Sequence, residues 1–138
     1  MKLVLWLQIA ALLHLVLMCA GLTMPRAVKL STHLAGLPPF IRNLFWVYYT
    51  FIASALVGFA ALTWFCADAM AAGVPAARAL CIFLAAFWLL RLLAAIFVFD
   101  VRPYLANRFY RLGYHSINCI FVYLTAIYFW IALKGGTL

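Results

Sequence analysis

The sequence predicts an all-α fold: an integral membrane four-helix bundle with short amphipathic interfacial segments between helices 1 and 2 and between helices 3 and 4. Three observations predict it. Of 138 residues, 71% are hydrophobic and only 9% are charged, whereas roughly a quarter of a soluble domain is charged. Apolar runs of spanning length occur four times, at about 3–23, 44–66, 77–99 and 113–133, each close to the ~20 residues that cross a bilayer as a helix. The basic residues gather at the ends of those runs, where topology and anionic headgroups account for them. Together the four spans make one domain, 1–138, with no length left over for a soluble catalytic module.

The first span, Leu3 to about Thr23, is apolar apart from Gln8 and His14. Its apolar core exceeds the 7–15 residues usual in a secretory signal, so it reads as a retained span. His14 shares a helix face with Ala10, Ala11, Met18 and Gly21, small neighbours that favour a helix–helix contact. Pro25 is expected to end this span. Between there and Phe40, Arg26, Lys29 and His33 recur on one side and Leu30, Leu34 and Leu37 on another. That pattern predicts a short amphipathic helix in the interface.

The second span begins near Trp46, Tyr48 and Tyr49 and ends near Trp64, aromatic residues suited to the two headgroup levels. Asn43, Thr50, Ser54, Gly58 and Ala61 fall on one face, expected to point inward, and Ser54-x-x-x-Gly58 is a small-xxx-small contact. A short, nearly neutral turn, ADAMAAGVPAA, then makes spans two and three an antiparallel hairpin, with Asp68 in solvent. The third span holds Arg91 well inside it and ends at FDVRPYL. Beyond it, Tyr104, Arg108 and Arg111 predict a second basic interfacial turn. The fourth span carries a polar line of His115, Asn118 and Thr125.

Orientation follows from the basic residues. Arg26, Lys29, Arg42, Arg102, Arg108 and Arg111 flank the first and third connections, against Lys2, Arg78 and Lys134 on the other side. The positive-inside rule then places both connections in the cytoplasm and both termini outside.

Arg91 is the sharpest candidate for a functional residue, because an arginine near the bilayer centre costs roughly 2.5–3.5 kcal/mol on insertion scales and must be sheltered. Ala94, Ala95 and Val98 lie within about 60° of it around the helix, so it is expected to face the bundle. Asp100 lies about 180° away and cannot pair with it on the same helix. The partners left are neutral, among them His14, Asn118 and Thr125, and with Arg91 they form a candidate ligand-binding set. Arg42, Asp100, Arg102, Arg108 and Arg111 form an expected interfacial charge cluster.

Other chemistry finds no support in the sequence. Cys19, Cys66, Cys81 and Cys119 form no C-x-x-C pair, and the three histidines form no metal-binding spacing. No nucleophile elbow or phosphate-binding glycine loop occurs, so neither a metal nor a cofactor is expected and catalytic residues are not assigned. The charge of +8 lies at span ends rather than along a soluble stripe, which points to membrane lipids and away from nucleic acid.

A first span leaving through GLTMP, a second opening with RNLFWVYY and a third built as FWLLRLLAAIFVFD together resemble the DoxX-like superfamily of small four-helix membrane proteins. The resemblance implies a four-helix bundle in a bacterial inner membrane, with Arg42 and Arg91 as the charged positions of the group's pattern. The expected role is an accessory or scaffold subunit of a larger membrane complex, or of a homo-oligomer. The alternative is a membrane-embedded binder, carrier or enzyme for an anionic or quinone-like lipophilic ligand anchored by Arg91.

Overall fold

The structure, a computed structural model, describes residues 2–99, 103 and 107–134. Among the described residues six α-helices run in chain order: α1 (Lys2–Ala27), α2 (Leu30–Leu34), α3 (Pro39–Phe65), α4 (Ala67–Ala71), α5 (Pro75–Phe97) and α6 (Arg108–Lys134). Four of them, α1, α3, α5 and α6, are long and apolar enough to span a membrane, and no strand occurs among the described residues. The protein is an all-α membrane bundle.

α1, α3 and α6 outrun the apolar runs that announced them, while α5 keeps the length of its run and starts two residues earlier. α1 does not stop at Pro25 but continues to Ala27, so the proline sits in its last turn. Such a proline withholds the N–H that would bond the carbonyl four residues back and crowds that carbonyl with its ring. The carbonyl is that of Gly21, and the hydroxyl of Tyr49 on α3 donates to it at 2.5 Å. A side chain of the neighbouring helix thus replaces the missing backbone donor.

The segment before α3 is likewise not one amphipathic helix. Lys29 adopts φ 50°, ψ 44°, the left-handed region, which breaks the helix between Arg26 in α1 and His33 in the five-residue α2. Of the three leucines expected on one side, Leu34 is buried while Leu37 is exposed. α3 then begins at Pro39, since proline at the first helical position costs no hydrogen bond, and Arg42 lies in its first turn. Arg108 and Arg111 belong to the first two turns of α6 rather than to a separate interfacial turn. A cation at a helix N-terminus costs some 0.3–1 kcal/mol against the helix dipole. Attraction to anionic headgroups, about 1 kcal/mol per basic residue, offsets it. Asp100, Arg102 and Tyr104 lie outside the described residues.

The turn after α3 is a packed element. Ala67 and Met70 of α4 are buried while Asp68 stays exposed. α4 closes through Gly73 at φ 72°, with Val74 N–H bonded to the Ala69 carbonyl and Gly73 N–H to that of Met70, both at 3.1 Å. This paired closure wants glycine at its left-handed position, and Pro75 starts α5 directly after it.

Packing divides the spans into two pairs, α1 along α3 and α5 along α6, joined mainly by α1 against α6 and by α4. Spans two and three are therefore neighbours in the chain without forming a close hairpin. They meet through phenylalanines, Phe59 of α3 lying edge-on to Phe83 and Phe87 of α5 at 6.0 and 5.1 Å between ring centroids. The core holds Leu7, Ala10, Met70, Cys81, Leu84, Trp88, Leu124 and Tyr128. Only 6% of the most apolar stretch of α3 is buried, against 28% in each of the other three spans. On α3 the stripe Asn43, Thr50, Ser54 and Ala61 is exposed and Gly58 half-buried, so the face expected to point inward points out. A methyl group added at Gly58 would meet nothing within 4 Å, and the Thr50 and Ser54 hydroxyls donate only to carbonyls of their own helix, those of Trp46 and Thr50.

Candidate polar site in the α5–α6 seam

Three contacts set one antiparallel register along α5 and α6. The Arg78 side chain donates from Nε to the Ala132 carbonyl at 2.8 Å, the Trp88 and Phe121 rings stack at 5.4 Å, and the Tyr114 hydroxyl donates to the Ala95 carbonyl at 3.1 Å. The first and last of these answer carbonyls near helix ends, which lack a full set of backbone partners. Phe99 N–H bonds the Ala94 carbonyl instead of that of Ala95, leaving the latter for Tyr114. Read along this register, Asn118 stands opposite Arg91.

Arg91 lies on the face of α5 that carries Leu84, Trp88 and Ala95, toward the bundle as its neighbours predict; the helix it meets is α6, near the end of the seam where the residue is still exposed. Its guanidinium stands over two rings, 5.3 Å from the centroid of Phe99 and 5.2 Å from that of Phe121. Such contacts contribute about 0.5–2 kcal/mol, more where water is excluded. They shield the charge without neutralising it. The only carboxylate among the described residues is Asp68, in the turn beyond the opposite end of α5. Asn118 Oδ1 is buried and has no hydrogen-bond partner among the described residues.

The other two members of the expected set are already engaged. Thr125 donates to the Phe121 carbonyl at 2.8 Å and stands seven residues beyond Asn118, about 10 Å along the helix. His14 is fully buried. Its Nδ1 lies 2.7 Å from the Ala10 carbonyl, and Trp88 Nε1–H donates to its Nε2 at 3.1 Å. The carbonyl can only accept and the indole only donate, so the ring is the Nδ1–H tautomer with both nitrogens used. No lone pair is left to bind a metal. Among the described residues no group of three His, Cys, Asp or Glu side chains gathers.

Sequence reasoning missed the residues that tie this seam to the rest of the bundle. Trp88 joins His14 to Phe121. Tyr128, fully buried, meets Thr63 of α3 at 2.6 Å between hydroxyls, and the Tyr123 hydroxyl donates to the Trp6 carbonyl at 3.0 Å. The available signal was the placement of tryptophan and tyrosine deep inside apolar runs, since a buried indole or phenol needs a partner for its polar tip. All four cysteines are free thiols. Comparison with protein-family models, with curated proteins and with solved structures finds no match to this chain.

Proposed function

We propose that this small membrane protein is an accessory or scaffold subunit of a larger membrane assembly, with α3 as its docking helix. One observation carries the reading: the small, weakly polar stripe Asn43, Thr50, Ser54, Gly58 and Ala61 has no helix against it among the described residues. Lipid chains accept large apolar side chains well, whereas small residues favour close approach of a second helix backbone. Bacterial inner-membrane residence, kinship with the DoxX-like proteins and cytoplasmic placement of the two basic connections belong to the same proposal. They rest on the quoted sequence stretches and on the basic-residue asymmetry.

The test is extraction from the native membrane in mild detergent. The wild-type chain should migrate with a larger assembly, and Ser54→Leu combined with Gly58→Leu should release it as a folded, smaller species. A wild-type chain that always runs alone as a monomer overturns the reading.

The unpartnered Asn118 oxygen favours a second one. Asn118 opposite Arg91 offers an acceptor beside a cation that no described carboxylate compensates, which suits an anionic or carbonyl-bearing lipophilic ligand that also carries a hydrogen-bond donor. Arg91→Leu should then abolish ligand binding while leaving the assembly intact. A variant that binds as before rules the arginine out as the anchor.

A further inference from the structure

A second place on the molecule has the makings of a binding site. Where α1 ends and α3 begins, a pocket of about 500 Å³ is lined by Arg26, Lys29, Ser31 and Thr32 together with Leu22 and Trp46. The two cations stand with two hydroxyls and, among the described residues, no carboxylate. None of these four side chains donates to another group of the protein among the described residues, and the indole N–H of Trp46 is also unused. Lys29 is the only non-glycine residue at positive φ among the described residues. A lysine held where glycine would fit without cost brings an ammonium group to the pocket wall.

The depth of the pocket identifies the solvent it faces. α1 has 26 residues, about 39 Å of helix, against a hydrocarbon core of about 30 Å. Its last turn therefore emerges at headgroup level, and Trp46 lies at the same end on α3, where amphipathic rings favour the membrane–water boundary. A ligand here has its charged part beside Arg26 and Lys29 and its apolar part against Leu22 and Trp46. We propose that the pocket holds the phosphate of an anionic ligand, and that the ligand is a membrane phospholipid: arginine and lysine neutralise the phosphate, and the Ser31 and Thr32 hydroxyls donate to its oxygens. Free phosphate shares that chemistry but makes no use of the apolar wall.

The experiment is a titration of the purified full chain in mild detergent, followed by native mass spectrometry. The probes are dioleoyl phosphatidylglycerol, dioleoyl phosphatidylcholine and inorganic phosphate. Phosphatidylglycerol should bind in preference to phosphatidylcholine, and millimolar phosphate should not displace it. Arg26→Gln with Lys29→Gln should weaken phosphatidylglycerol binding about 30-fold, which is about 5-fold per cation. Lys29→Gly removes one cation while relieving the backbone, so it should fold at least as well as wild type and still lose about 5-fold. Arg108→Gln with Arg111→Gln removes the same charge from the same membrane face and should leave tight binding in place. Three results overturn the proposal: equal loss in that control pair, no preference between the two lipids, or displacement by inorganic phosphate, which would make the site one for a soluble anion.

Discussion

Replacing Tyr49 by phenylalanine removes one oxygen and keeps the ring, so it isolates the hydroxyl that serves the Gly21 carbonyl at 2.5 Å. In most helical contexts that carbonyl would also have the N–H four residues on, but here that residue is Pro25. Interhelical hydrogen bonds in membranes contribute about 0.6 kcal/mol on average and reach about 1.7. A carbonyl with no second donor belongs in the upper half of that range, and the partial exposure of both residues pulls it down. The expected loss is therefore about 1 kcal/mol, a roughly fivefold fall in the folding equilibrium. Pro25→Ala restores the backbone donor, so Tyr49→Phe in that background should cost only a few tenths of a kcal/mol. Reversible unfolding in mixed micelles, followed by helical circular dichroism, measures the four corners of the cycle. If Tyr49→Phe costs the same with and without the proline, the hydroxyl is not standing in for the missing N–H and the account of the α1 terminus is wrong.

Three further tests probe the interior. Asn118→Leu removes a buried oxygen that no described group satisfies and should stabilise the ligand-free protein by up to about 1 kcal/mol; a drop in unfolding midpoint would reveal a bound water or ligand there. Trp88→Phe takes the donor from His14 Nε2 and should destabilise by about 1–3 kcal/mol, with His14→Phe adding little further loss in the double variant. Gly21→Ala, where an added methyl group meets open space, should be neutral or stabilise by up to about 1 kcal/mol through helix propensity. Thermal melts in detergent read the last two, and a large loss at Gly21 would mean that α3 approaches closer than the structure has it.

Four spans, their order and their antiparallel course were legible because a bilayer demands long apolar runs and closed backbone hydrogen bonding. The direction of Arg91 toward the bundle was legible too, since Ala94 and Ala95 beside it leave room for a neighbour, whereas the identity of that neighbour, α6, was not. The orientation of α3 was not. Periodicity places Asn43, Thr50, Ser54, Gly58 and Ala61 on one face, but apolar surface has no preference between lipid and protein, so hydropathy alone carries no sign for the direction of that face. Helix ends were misjudged for another reason: Pro25, Pro39 and Arg108 look like breaks in an apolar pattern, yet each is admissible in a terminal turn. Asn118 was singled out on its polar line, but its place opposite Arg91 depends on a register fixed by Arg78, Trp88 and Tyr114, residues far apart in sequence.

The Trp6–Tyr123 hydrogen bond joins positions 117 residues apart, so the seam between α1 and α6 closes only after the last span has left the ribosome. Until then α1 has α3 and the short α4 to lie against, and the groove that α6 will fill is open to lipid. During biosynthesis the chain thus passes through a three-span stage in which Trp88 has no Phe121 to stack on. A nascent chain stalled ahead of α6 and carrying a photocrosslinking residue at Leu7 or Ala10 should cross-link to lipid, and should lose that cross-link once α6 has been inserted.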